Sequence, residues 1–228
     1  MSQNIELKSA DGHALDAYLS QPAGEPKAGL VILQEIFGVN AYIRSVADDF
    51  AAQGYLAIAP ALFDRVRKHV EMPYDAASST EGKSMMHSIP VQDAMADVEA
   101  AILYLRHNLN GKKLGVVGYC WGGMLAWLTN TRLHPEATVS YYPGGIQKHI
   151  TEKASCPAIF HFGTQDTNFP PEIIDTVRME YPGFPVYTYD AGHGFSCHAR
   201  SAYNQEAATL TRQRTLAHLE EHLVATSH

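Results

Sequence analysis

The stretch Lys113-Leu114-Gly115-Val116-Val117-Gly118-Tyr119-Cys120-Trp121-Gly122-Gly123-Met124-Leu125-Ala126 decides how the chain is read. Leu114 to Val117 is a short apolar run of the kind that forms a buried strand. Gly118-Tyr119-Cys120-Trp121-Gly122 follows without a spacer, and Met124 to Leu128 reads as the start of a buried helix. Strand, sharp turn and helix are the setting in which Gly-x-nucleophile-x-Gly builds a nucleophile elbow. The glycines are needed because the turn brings two backbones together where a side chain would clash. The apex residue stands clear of the sheet, above a helix N-terminus whose partial positive charge favours an anion. Here it is Cys120. A thiol gains doubly from that place, since the thiolate is both the form the helix end favours and the form that attacks. The plainer alternative, a cysteine serving as a small core residue, is disfavoured by the strand before it and the helix after it.

Working outward, the flanking segments alternate in type. Ile5 to Ser9 and Ala14 to Ser20 alternate apolar with polar residues around Asp11-Gly12, a hairpin at the N-terminal edge. Gly29 to Leu33 reads as a fully buried strand, Gln34 to Asn40 as a loop, and Ile43, Val46, Ala47 and Phe50 as one face of a helix closed by Gly54. Tyr55 to Ala59 is the next buried strand, stopped by Pro60. Ala61 to Pro90 has no sustained period and is expected to be an excursion over the sheet, either walling a pocket or merely connecting. Val91, Met95, Val98, Ile102 and Leu105 mark a strong amphipathic helix leading into the central strand. Beyond the elbow come strands at Thr138 to Tyr142, Ala158 to Phe162 and Val186 to Tyr189. Helices are expected over Pro171 to Glu180 and at the end, the last with Ala208, Thr215, Leu216, Leu219 and Leu223 inside. Such alternation predicts an α/β fold with a mostly parallel, doubly wound sheet and helices on both faces, in a single domain over residues 1–228.

Composition narrows the function. A formal net charge of −7 without a basic cluster argues against nucleic acid. No apolar run reaches membrane-spanning length, and the N-terminus lacks the basic and apolar regions of a signal peptide. Cys120, Cys156 and Cys197 cannot all pair, which fits a reducing cytoplasm. Twelve histidines are scattered without a metal-ligand motif, so no metal site is expected.

In a wound sheet, sites lie beyond the carboxyl ends of the strands. If Cys120 is the nucleophile, an acid and then a histidine should follow later strands. Asp166 stands in the loop after Ala158 to Phe162, and His193 just after Val186 to Tyr189, between Gly192 and Gly194. Singly, Asp166 reads as a turn or capping residue and His193 as a polar loop residue; together, type, order and place point to a triad. His193 would take the thiol proton and later activate water, with Asp166 holding the imidazole tautomer. The oxyanion hole would use the amides of Trp121 and of Ile36, in the loop after Leu33.

Gly118-Tyr119-Cys120-Trp121-Gly122-Gly123, Gln34-Glu35-Ile36-Phe37-Gly38, Asp166 and Ala191-Gly192-His193-Gly194-Phe195 together resemble the dienelactone hydrolase family, the carboxymethylenebutenolidases. The resemblance runs over nearly the whole chain. It implies an α/β-hydrolase fold, a Cys-His-Asp triad, no cofactor, and hydrolysis of an unsaturated lactone, 4-carboxymethylenebut-2-en-4-olide, to maleylacetate. It also implies that Glu35 contacts the resting thiol until substrate rearranges it, sparing the sulfur from oxidation. A substrate carboxylate calls for arginine. The position four residues past the histidine, arginine in the family, is Cys197 here, so Arg200 and, within the excursion, Arg65 and Arg67 become the candidates. Tyr142, Phe37 and Trp121 are candidates for an apolar wall. The expected partner is a small ester or lactone, and the expected state a monomer or small homo-oligomer. A thioesterase on the same triad and a non-catalytic binding module are the rivals.

Overall fold

The computed structural model describes residues 1–224. Its strands are β1 (Ser2–Lys8), β2 (Ala14–Ser20), β3 (Ala28–Leu33), β4 (Tyr55–Pro60), β5 (Leu114–Tyr119), β6 (Ala137–Tyr141), β7 (Ala158–Gly163) and β8 (Val186–Tyr189). Its helices are α1 (Ala41–Ala52), α2 (Ala76–Ser88), α3 (Val91–Asn108), α4 (Trp121–Leu133), α5 (Glu172–Glu180) and α6 (Gln205–Leu223). The strands form one sheet in the order β1-β2-β4-β3-β5-β6-β7-β8. β1 and β2 pair antiparallel, as do β2 and β4, while β3–β4, β6–β7 and β7–β8 are parallel. This is the mostly parallel, helix-flanked α/β sheet that the alternating pattern predicts. Contacts divide the chain into two units, one of residues 1–115 and one from Val116 on, with β5 straddling the division.

In the first unit β3 and β4 are buried along their whole length, which is why their sequences are continuous apolar runs rather than alternating ones. β1 and β2 turn at Asp11-Gly12, where Gly12 takes φ +89°. Asn40 caps α1 by accepting from the Ile43 amide at 3.2 Å. Gly54, at φ +93°, follows the helix end and donates to Ala51 O, so it sits one position past the C-cap, Gln53.

The 61–90 segment is more ordered than its sequence suggests. A 3-10 turn at Leu62–Arg65 precedes α2, capped by Asp75 accepting from the Ser78 amide at 2.7 Å. The buried side of α2 is Ser78, Gly82 and Met85. An apolar-period search misses a helix whose inner stripe is small and polar. The reason for the small residue is direct: a Cβ on Gly82 would lie 1.9 Å from the carbonyl oxygen of Ile36, so only glycine lets the helix backbone rest there.

Arg65, one of the arginines considered for a substrate carboxylate, lies in the same segment and is held by two aspartates. Its guanidinium forks onto Asp97, Nε to Oδ2 at 2.9 Å and Nη2 to Oδ1 at 2.7 Å, and also reaches Asp11 at 2.6 Å. Asp97 is fully buried and takes a further hydrogen bond from Ser9 Oγ. The arginine thus ties the β1–β2 hairpin to α3.

In the second unit Trp127, Phe160, Phe162, Ile174 and Val177 form a core between α4, α5 and β7, with the Trp127 indole donating to His149 O at 2.9 Å. α6 buries Ala207, Thr211, Thr215, His218, Leu219 and Leu223. Its inner stripe is therefore rotated from the expected one, with Ala208 and Leu216 only half-buried. The rotation admits a polar layer: Thr215 Oγ1 meets Tyr141 Oη at 2.7 Å and His161 Nε2 at 3.2 Å.

Removing one member of a buried ion pair leaves the other charge desolvated and alone. Arg65→Met is expected to lower unfolding free energy by about 3–5 kcal/mol, and Arg65→Met with Asp97→Leu to recover most of that. Urea unfolding of the single and double variants checks it; equal losses in both would place the stabilisation elsewhere.

Candidate active site

The elbow is built by backbone strain that the flanking glycines make possible. Cys120 joins β5 to α4 with φ +56° and ψ −115°, a conformation L-residues avoid. Its amide donates to Tyr141 O at 3.0 Å, and its carbonyl accepts from the Gly123 amide at 2.9 Å. A Cβ on Gly118 would lie 1.8 Å from Gly122 O, and one on Gly123 would lie 2.7 Å from Tyr141 O. Neither position admits a side chain, so the motif's glycines are a steric requirement of the turn. Trp121 opens α4. Its N–H therefore belongs to the first turn, whose amides have no acceptor inside the helix.

Asp166 follows β7 and His193 follows β8. His193 Nδ1 and Asp166 Oδ2 are 2.5 Å apart, with the carboxylate fully buried and the imidazole 12% exposed. The other carboxylate oxygen accepts from the Asn168 amide at 2.8 Å and from its side-chain Nδ2 at 2.9 Å. Asn168 is a residue the sequence reading missed. The signal for it was the Asp-x-Asn spacing of an Asx-turn, in which an aspartate binds the amide two residues on. Burial alone would push the Asp166 carboxyl up, but the bond and charge of His193 and the two Asn168 donors outweigh it and hold it below the usual range.

Cys120 also acts on His193. Burial opposes its cationic form; the Cys120 charge, the bond to Asp166 and the bond to Cys120 overcome that and push its pKa up to about 10. His193 and Asp166 are thus paired within the second unit, and Cys120 acts on the same imidazole.

The remaining candidates separate. Tyr142 is fully buried, with its ring 5.0 Å from the His193 imidazole and its hydroxyl 2.7 Å from Ser196 Oγ. It sits just past the end of β6 rather than within it, at φ +35°. Arg200 is half-buried and lies over Gly194, where a Cβ would come within 2.5 Å of its Nε. In the first unit, Glu35 is fully buried and accepts a hydrogen bond from Tyr74 Oη at 2.8 Å. It is not the solvated charge that a loop glutamate usually is. Gln34 steadies the same loop, donating to Glu35 O and accepting from the Leu62 amide, each at 3.1 Å. Phe37 is buried against Tyr74, ring centroids 4.6 Å apart, and so packs the loop. Arg67 forms an exposed pair with Glu81 at 2.8 Å.

A separate cleft of about 590 Å³ in the first unit is lined by Asp16, Tyr18, Arg44, Asp64, His69 and Glu71 among others. Its charges are already matched, Lys68 to Asp16 and Asp64 and Arg44 to Glu71, and it includes none of the residues above. Among the described residues no helix is long and apolar enough to cross a membrane.

Comparison with known proteins places this geometry. The chain is 34% identical over 224 residues to a carboxymethylenebutenolidase of Pseudomonas putida, the match covering 95% of each chain. A carboxymethylenebutenolidase of Cupriavidus pinatubonensis is 28% identical over 224 residues, again with 95% of each chain covered. A crystal structure from Klebsiella pneumoniae of a protein assigned to the dienelactone hydrolases superposes with a TM-score of 0.83 at 26% identity, covering 97% of this chain and 99% of that one. At 18% identity, a dienelactone hydrolase-like promiscuous phosphotriesterase from metagenomic libraries shares the fold with a TM-score of 0.79. The model of the dienelactone hydrolase family matches residues 15–223, and the chain belongs to that family.

Proposed function

We propose that the protein is a cysteine-dependent hydrolase of small esters or lactones, of the carboxymethylenebutenolide-to-maleylacetate kind, acting through an acyl-enzyme on Cys120. The observation that carries this is the meeting of three groups in one unit. The Cys120 sulfur is on the strained elbow, its charge acts on His193, and Asp166 lies 2.5 Å from that ring's Nδ1. The names of the relatives supply the substrate class, and the chain shares 34% of residues with one of them.

The chemistry follows. The thiolate, its proton held on His193, attacks the acyl carbon and the carbonyl electrons move onto oxygen. The amide of Trp121 and, by its place in the family pattern, that of Ile36 receive the oxyanion. Collapse expels the alkoxide, which takes the proton from His193; in a lactone it remains attached as part of the opened acid. Water then gives a proton to the neutral imidazole as its oxygen attacks the thioester, and departure of the acid restores thiolate and imidazolium. Asp166 stays ionised throughout and fixes Nδ1 as the protonated nitrogen. Arg200, beside the histidine turn, is the arginine left to meet a substrate carboxylate. We place this activity in the cytoplasm, in a chain working as one α/β-hydrolase domain.

Turnover of p-nitrophenyl acetate tests the nucleophile. Cys120→Ala and His193→Ala are expected to lose about 10⁴-fold or more in kcat, and Asp166→Asn roughly tenfold to a hundredfold less. Iodoacetamide should stop the wild-type enzyme with one carboxamidomethyl group on Cys120 by peptide mass. Full activity after that modification excludes an acyl-enzyme on the sulfur.

Stability against pH tests the ion pair. A histidine whose pKa is raised by folding contributes stability that is complete below its unfolded value near 6.5 and disappears as pH rises through about 10. In Cys120→Ser the thiolate is absent, so that loss moves to lower pH. Urea unfolding from pH 6 to 11, with the His193 ring followed by NMR, reads both. An unshifted His193 titration in Cys120→Ser would mean that the sulfur carries no charge opposite the ring.

A further inference from the structure

His193 is carried on a turn with glycine on both sides, Gly194 at φ +81°, so its backbone is weakly restrained. Its bond to Asp166 fixes one ring nitrogen at 2.5 Å. One hydrogen bond fixes a point and leaves the ring free to rotate about that line. A base that must also face Cys120 needs a second constraint.

The structure holds one. Tyr142, the first residue past β6, stands at φ +35°, in the left-handed region that a bulky side chain avoids. Its amide still donates to His161 O at 2.7 Å, so the turn departs from the strand without leaving that donor unpaired. Its ring meets the His193 imidazole edge-on, with centroids 5.0 Å apart and planes at 62°. Phe195 closes from another side, 5.3 Å away at 72°. The tyrosine hydroxyl lies 2.7 Å from Ser196 Oγ, anchoring the ring to the turn that carries the histidine.

We propose that Tyr142 is a positioning residue for His193, its strained backbone delivering a ring that holds the imidazole plane between Asp166 and Cys120. This rests on the reading of His193 as the base. A core filler would need neither the left-handed backbone nor the bonded hydroxyl. A substrate wall would present ring surface, and this ring is fully buried.

The test uses the whole protein with Tyr142→Leu, Tyr142→Phe and Ser196→Ala. Tyr142→Leu is expected to lower kcat for p-nitrophenyl acetate by about 10- to 100-fold with KM changed less than about threefold. The pH dependence of Cys120 alkylation by iodoacetamide should be displaced from the wild-type profile. Tyr142→Phe, which keeps the ring, should recover most of kcat and most of the alkylation profile. Ser196→Ala should resemble it. A folded Tyr142→Leu with an unmoved alkylation profile overturns the proposal, whatever happens to kcat, and so does a rise in KM alone. If Tyr142→Leu does not fold, Tyr142→Met, whose flexible side chain fills the space without an aromatic edge, carries the test, with a displaced profile expected and an unmoved one overturning it. His193→Ala separates the two readings. If that variant keeps wild-type turnover and alkylation, the base assignment fails and this proposal falls with it. If it loses both while the Tyr142 variants move neither, only the positioning role is lost.

Discussion

The left-handed backbone at Cys120 is the constraint on which the site depends. A non-glycine residue held at φ +56° costs of order 1–3 kcal/mol, and it persists only where its surroundings leave no alternative. Here the amide is tied to Tyr141 O, and the carbonyl receives amides from α4 and from Gly144 at 3.3 Å. Gly118 lies so close to the Gly122 carbonyl that strand and helix cannot separate to relax the turn without losing their packing. Stability distributed over the second unit is thereby concentrated into one half-buried geometry, the sulfur above a helix end. A second left-handed residue, Tyr142, follows the neighbouring strand, so the strain gathers at the carboxyl ends of β5 and β6.

Electrostatics complete what the backbone begins. A buried carboxylate is tolerable only when its oxygens are occupied, and Asp166 divides the task, one oxygen for His193 and the other for Asn168. The Asn168 bonds matter to the histidine. A carboxylate anchored on one side presents its second oxygen at a fixed angle, which fixes the position of the ring nitrogen bonded to it. Arg200 over Gly194 adds a cation close to the turn.

What was legible in the sequence was whatever repeats or excludes. Continuous apolar runs marked β3, β4 and β5, and Gly-x-Cys-x-Gly marked a turn that only glycine permits. Chain order then suggested Asp166 and His193. Missed features have buried faces that are not apolar. α2 rests on Ser78, Gly82 and Met85 and escapes a search for hydrophobic period, whereas α6 was expected and only its stripe is displaced, because Thr211 and His218 also turn inward. Arg65 looked available because nothing local in the sequence reveals Asp97, 32 residues away and fully buried. Pairing at such distance follows from topology, which a spacing pattern does not encode.

Histidine shows why burial and chemistry have to be read together. Twelve histidines are present, and burial alone would rank His161 above His193 as the perturbed group. His161 is wholly enclosed, with Nδ1 2.9 Å from Tyr189 Oη and Nε2 3.2 Å from Thr215 Oγ1. Burial, then the nearby charges of Arg214 and His218, drive it well below the usual histidine range, which leaves a neutral ring bonded at both nitrogens. It has no reason to move a proton. His193 is nearly as enclosed and shifts the other way, because two anions face it where His161 faces neutral hydroxyls and cations. Burial therefore sets the size of the perturbation and partner charge sets its sign. Only the sign distinguishes a structural imidazole from one able to hold a thiol proton through a catalytic cycle.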